Sequence, residues 1–244
     1  MNSTWILFKR ELGSYFYTPL AYIFIVVFLL LSGIFTFYFG NFLSRGQADL
    51  VPFFSFHPWM YTLFIPAISM RLWAEERKQG TIELLFTLPI TTWEAISGKF
   101  LAAFAFTAIA LFLTFPLWIT VNYLGSPDNG VIFASYVGSL LMAGGYLAIG
   151  ACVSALTKNQ VIAFIISLML CLVVNILGFP FVTNQLSAWL PSTLVETLRS
   201  FSFLSHFETL SRGLLDLRTL IYFATLITFG LFANAVAIEL RKAD

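Results

Sequence analysis

Charge is scarce in this sequence. Only 10% of its 244 residues are Asp, Glu, Lys or Arg, against about 25% in an ordinary soluble domain. With 59% hydrophobic residues, 18% aromatics and a mean hydropathy of +0.88, the chain has too little polar surface to wet itself, which excludes a soluble globule. A basic excess is missing as well. The formal net charge is +1, so no cluster of Lys and Arg is available for a phosphate backbone, and nucleic acid is excluded as a partner. The two cysteines, Cys152 and Cys171, lie inside apolar runs and supply neither a disulfide framework nor a thiolate zinc site. His57 and His206 have no partner at metal-ligand spacing, so no metal site is expected. No serine sits in a nucleophile elbow. Gly98-Lys99-Phe100 lacks the leading glycine and the hydroxyl of a P-loop. Neither a catalytic residue nor a bound ATP or other cofactor is expected of this chain.

Long apolar runs are what it has. A helix needs about 20 mostly apolar residues to cross about 30 Å of hydrocarbon. Six runs qualify, at 20–42, 54–73, 100–123, 131–156, 161–182 and 219–238. Pro66 and Pro116 are placed to kink the second and third. The fourth is rich in small residues, among them Gly138, Gly144, Gly145 and Gly150, which let neighbouring helices approach closely. The composition predicts an all-α polytopic membrane protein, one transmembrane domain over 1–244.

Orientation follows from the cations. With the N-terminus inside, six spans return the C-terminus to the same side. Lys9, Arg10, Arg71, Arg77, Lys78, Lys99, Lys158, Arg241 and Lys242 then face the cytoplasm, and Arg45, Arg199, Arg212 and Arg218 face out. Nine against four satisfies the positive-inside rule, with both termini cytoplasmic.

Three segments outside the spans carry information. Within 1–19, Trp5, Phe8, Leu12 and Phe16 recur at helical spacing beside Lys9, Arg10 and Glu11. This pattern suits an amphipathic helix lying flat on the membrane, or an extension of the first span; Pro19 favours a break and a change of direction. The second segment, 71–99, holds eight of the 25 charged residues. Gly80 is suited to end the charged helix before it. A short helix is predicted over 81–88, with Ile82, Leu84, Leu85 and Leu88 apolar, and Pro89 stops it. Thr91 and Glu94 form a capping-box pattern that starts the next helix. An apolar patch with a charged rim fits a docking surface, and it also fits a helix resting on lipid headgroups. The third segment, 183–218, is too long for a structureless loop. Thr193 with Glu196, and Ser205 with Glu208, read as two further capping boxes, predicting short outer amphipathic helices that cap an exit path or tie down the last two spans. His206 reads as a surface residue of the second. Trp59, Tyr61, Trp118, Tyr123 and Trp189 suit an interfacial aromatic belt.

The interiors of the six runs lack Asp, Glu, Lys, Arg and His, the groups on which ion-driven transporters rely at mid-membrane. Asn122, Asn175 and Asn234 are the strongly polar side chains in or near them, and such residues more often join helices than bind substrate. Energy for uphill movement must then enter from outside the membrane, and 71–99 is the cytoplasmic surface large enough to receive it.

At this point a resemblance enters. Leu72-Trp73-Ala74-Glu75-Glu76-Arg77-Lys78-Gln79-Gly80-Thr81-Ile82-Glu83-Leu84-Leu85, then Leu88-Pro89-Ile90 and Gly98-Lys99-Phe100, resemble the signature of ABC-2 type transporter permeases. Phe203-Leu204-Ser205-His206-Phe207-Glu208 and Gly213-Leu214-Leu215-Asp216-Leu217-Arg218 are similar to the gliding-motility type within them. The resemblance implies six transmembrane helices and a coupling helix over 80–89 seated in a separate P-loop ABC ATPase. Glu75, Glu76, Arg77, Gly80, Thr81, Glu83, Leu84, Leu85 and Pro89 would then carry the coupling. It further implies ATP and Mg in that partner, a second copy of the chain or a homologous permease, an auxiliary membrane subunit with an extracytoplasmic domain, and a bacterial inner membrane. It does not imply the cargo. The expected function is that of a permease subunit moving a substrate with ATP hydrolysed elsewhere. The alternatives are the same ATPase-coupled assembly acting as a non-transporting mechanotransmission or signalling complex, or an ATP-independent channel or carrier.

Overall fold

The computed structural model describes residues 3–87, 89–214 and 216–240, without the side chains of Leu85 and Phe86. Leu88, Leu215, Arg241 and Lys242, which entered the sequence reading, lie outside the described residues. No strand occurs among the described residues. The chain runs from α1 (Ser3–Tyr17) into α2 (Pro19–Ile34), which continues through a π-helical turn (Phe35–Phe39). Next come α3 (Val51–Ser55), α4 (His57–Ser69), α5 (Arg71–Gln79), α6 (Thr81–Thr87) and α7 (Thr92–Phe112). The second half comprises α8 (Phe115–Leu124), α9 (Asn129–Leu156), α10 (Gln160–Ile176), α11 (Pro180–Ser187), α12 (Ser192–Ser200), α13 (Phe203–Ser211) and α14 (Leu217–Leu240).

Among the described residues, four stretches are long and apolar enough to cross a membrane, Pro19–Phe39, Thr92–Leu124, Asn129–Leu156 and Leu217–Leu240. Taken as one span, α10 with α11, bent by 70° at the break between them, makes a fifth. The run at 54–73 is divided differently from the expectation. Its apolar part is the 13-residue α4, and the chain breaks at Met70, four residues after Pro66, before resuming as α5. The run at 161–182 is likewise not one straight helix, because Pro180 starts α11 in a new direction. Pro116 acts as expected: α7 stops at Phe112, and α8 begins with the proline in its first turn, where its missing N–H costs nothing.

The centre of the bundle is α9, packed on α4, α5, α7, α10, α13 and α14. Its glycines make this possible. A Cβ on Gly138 would lie 2.9 Å from Leu210 of α13, on Gly144 2.8 Å from Ile227 of α14, and on Gly145 2.8 Å from Phe203 of α13. Ser69 of α4 fills the place beside Gly150. Between α4, α9 and α10 the polar groups bond to one another. Asn175 Nδ2 donates to Thr62 Oγ1 (3.3 Å), Ser139 Oγ to Tyr61 Oη (2.9 Å), and Tyr146 Oη to the Pro58 carbonyl (3.1 Å). Asn175 therefore joins helices, as its placement suggested. Tyr61, taken as an interfacial aromatic, is fully buried instead, because its hydroxyl finds Ser139 inside the bundle.

The two capping boxes expected within 183–218 are absent. Proline at 191 starts α12 two residues early, which leaves Thr193 inside the helix. Ser202 caps α13 by accepting from Leu204 N (3.1 Å), which leaves Ser205 inside that one. His206 is not a free surface residue. Its Nε2 donates to the Ser200 carbonyl at 2.8 Å, Nδ1 lies 3.3 Å from Thr219 Oγ1, and the ring stacks 3.9 Å from that of Tyr222, fastening α13 to α14. Desolvation lowers the His206 pKa, against the opposing pull of the Ser200 carbonyl.

Candidate functional site: a charged arm pinned at one end of the bundle

The charge-rich segment builds an arm and a tip. Arg77 and Lys78 occupy the last turn of α5, where cations oppose the partial negative charge of a helix C-terminus. Gly80 then adopts φ 72°, in the left-handed region that glycine enters without steric cost, and its N–H bonds back to the Arg77 carbonyl. Thr81 starts α6, with its hydroxyl 3.4 Å from the Glu76 carbonyl. Ile82 turns toward the core, while Glu83 is exposed and Leu84 is 66% exposed. Pro89 is exposed after the helix. The Thr91–Glu94 capping box is present in both directions, Glu94 N to Thr91 Oγ1 (3.2 Å) and Thr91 N to Glu94 Oε2 (2.8 Å). Leu85 belongs to α6, but its side chain lies outside the described residues.

The arm is tied to the bundle at two places that the sequence reading did not find. The first is the break at Met70. Ser154 Oγ, from α9, accepts from the N–H groups of Trp73 and Ala74 (3.1 Å each) and donates to the Met70 carbonyl (2.9 Å). One hydroxyl thus satisfies backbone groups that a helix start leaves unpaired. The second is Lys99, on the first turns of α7. Its ammonium is 2.8 Å from Glu76 Oε1 of α5 and 3.2 Å from Glu11 Oε2 of α1, and 5.2 Å from the centroid of the Trp73 ring. The Lys99 side chain is 3% exposed. Arg10 closes the group, 2.6 Å from Glu11 Oε1 and 3.7 Å from Glu76 Oε1. Glu75, next to this group, pairs instead with Arg71 through two bonds of 2.8 and 3.3 Å.

Close packing brings these charges together. α1 crosses α7 at Gly98, where a Cβ would sit 2.8 Å from Leu7 Cβ and 3.2 Å from the Thr4 carbonyl. Leu7 is the buried residue of α1, and Tyr15 and Phe16 pack on Phe106 of α7. Trp5, expected on the apolar face, is half exposed and stacks on Phe8, because the helix turns Leu7 toward Gly98 instead. Burial alone would raise the Glu11 pKa, but the nearby Lys99 and Arg10 overcome it and hold this carboxyl below its ordinary value. An open groove of about 710 Å³ runs between α1, α5 and α6, with Glu75, Gln79, Thr81 and Leu84 on its walls. Of the nine residues predicted to carry coupling, the structure places Glu76 in the ionic group, Glu75 beside it, and Gly80, Thr81, Glu83 and Leu84 along the bend and tip.

This is a membrane-embedded helical bundle with a charged arm and an exposed apolar tip, the build of a multi-pass membrane subunit. The family described as ABC-2 family transporter protein matches residues 5–240, and the chain belongs to that family. Permeases of this family are transmembrane subunits that associate with an ABC ATPase, often as dimers, in the bacterial inner membrane. No curated protein matches the chain.

Proposed function

We propose that this chain is the membrane-spanning permease subunit of an ABC exporter whose ATP is hydrolysed, with Mg, by a separate subunit, and that α6 is the helix through which the two are coupled. The observation that carries this reading is the exposure of α6 on a fastened arm. Leu84 and Glu83 face outward, while α5, one residue away across Gly80, is held by Lys99 and Ser154. An apolar side chain left open at the end of a rigid support suits a cleft in a partner. The α1–α5–α6 end is then cytoplasmic, as are both termini, and the α12–α13 end faces out. Counting the run at 54–73 as one crossing and α10 with α11 as another gives the six spans that the cation distribution asks for. The chain has no catalytic site of its own in this reading. It acts as a pair with itself or a homologous permease, and its affinity is with the gliding-motility type, including an auxiliary membrane subunit.

Leu84→Asp tests the assignment. Because the side chain is exposed, the bundle folds, and an ATPase that co-purifies with the unaltered chain from native membranes is lost. Undiminished capture of the ATPase by Leu84→Asp, or its absence from the unaltered complex, overturns the reading.

A further inference from the structure

We propose that Lys99 is a positioning residue, the joint that makes α1, α5 and the start of α7 a single rigid lever by offering one ammonium to a carboxylate from each of two other helices. The inference goes deeper into the coupling reading above, and rests on it only for what drives the lever.

The ammonium has no other role. With 3% exposure the side chain is buried beside the open groove that Glu11 and Glu76 also line, two turns into a helix whose next residues are apolar, where a lysine would ordinarily extend its stem to reach solvent. It turns inward and meets Glu11 at 3.2 Å and Glu76 at 2.8 Å. The two acids come from opposite sides, one on the helix that precedes the first span and the other on the arm. Neither acid has an equivalent substitute. Glu76 takes all its compensation through Oε1, since Oε2 is buried without a partner among the described residues, and Arg10 stands off at 3.7 Å. Glu11 keeps Arg10, its sequence neighbour, but that pair lies wholly within α1 and holds the helix to nothing. Lys99 is therefore the charged contact that reaches both helices from α7, added for α1 to the packing of Leu7 on Gly98 and of Tyr15 and Phe16 on Phe106. Two ammonium–carboxylate contacts around a buried ammonium are strong and directional. Gly98 just before it lets α1 come close enough for the reach, and Trp73 of α5 covers the ammonium from the side. Loss of one contact loosens one helix at this point; loss of the ammonium loosens both.

That asymmetry is measurable in the full chain alone, with Cys152 and Cys171 replaced by serine and spin labels on exposed positions. One pair, Ile6 with Trp93, reports α1 against α7; a second, Gln79 with Trp93, reports α5 against α7. In the unaltered chain each pair gives one narrow distance distribution. Glu11→Gln adds a longer population to the first pair only, Glu76→Gln to the second only, and Lys99→Met to both. The glutamines keep shape and hydrogen bonding, so these two variants fold even if Lys99→Met does not. A general loosening would move both pairs in every variant, and that result overturns the proposal, as does Lys99→Met leaving both pairs narrow. No ATPase is present in the experiment. A missing ATPase partner would thus remove the proposed function and leave this test standing.

Discussion

At the α1–α5–α7 end the helices meet around a buried ammonium and two carboxylates, whereas at the α12–α13–α14 end they meet through neutral hydrogen bonds and stacked rings. There His206 spans the Ser200 carbonyl and Thr219, and Tyr222 donates to the Phe201 carbonyl at 2.6 Å. The lesson is one of cost. An ionic joint around a buried ammonium is tight while complete, but removing one member leaves a charge poorly compensated. A neutral staple gives up only the bond removed. The first end is therefore all-or-none and the second is graded.

Breaking the ionic joint has the largest expected effect. Lys99→Met leaves Glu76 with Arg10 alone at 3.7 Å, while Glu11 keeps Arg10, and lowers stability by about 3 kcal/mol, read as a drop in the unfolding midpoint in detergent. Gly98→Val comes next, since the added methyls must push α1 off α7. It costs about 2 kcal/mol by overpacking and exposes α1 to a protease that spares it in the unaltered chain. His206→Phe keeps the stacking at the other end and loses the bond to Ser200, for about 1 kcal/mol; an effect as large as that of Lys99→Met would erase the contrast between the ends.

Acid sharpens the same comparison most gently. The His206 pKa is depressed below its ordinary 6.5, so the unfolded form binds its proton first. Its contribution is complete above pH 6.5 and is lost as the pH falls toward the depressed value. Glu11 is depressed below its ordinary 4.5, so its contribution is complete above pH 4.5 and is lost only below it. Between these values the α13 end loosens and the α1 end does not. Environment-sensitive probes at Ile6 and Phe201 follow this difference, and simultaneous release of the two ends would contradict it.

Much of the arm was legible because its signals are local. Gly80 ends α5, α6 spans Thr81–Thr87 within the expected 81–88, and the Thr91–Glu94 box caps α7. Each depends on residues within one turn. The same local pattern misled at Thr193 and Ser205, since a hydroxyl three residues before a glutamate also arises inside a helix that Pro191 or Ser202 has already started. The two fastenings of the arm were not legible at all. Ser154 lies 81 residues from the Trp73 N–H it caps, and Lys99 read as an ordinary boundary cation, since nothing in its neighbourhood says that Glu11 and Glu76 converge on it.

The glycines of α9 have one more consequence. Each is a notch holding a tooth from another helix: Leu210 at Gly138, Ile227 at Gly144, Phe203 at Gly145, Ser69 at Gly150. Notches of this kind key a shaft to whatever surrounds it. From Ser154, where the shaft grips the arm, to Gly138, where it grips α13, is about 24 Å at 1.5 Å per residue. The ionic end and the neutral end are thus mounted on one axle, and a twist of that axle at either end is felt at the other as teeth leaving their seats.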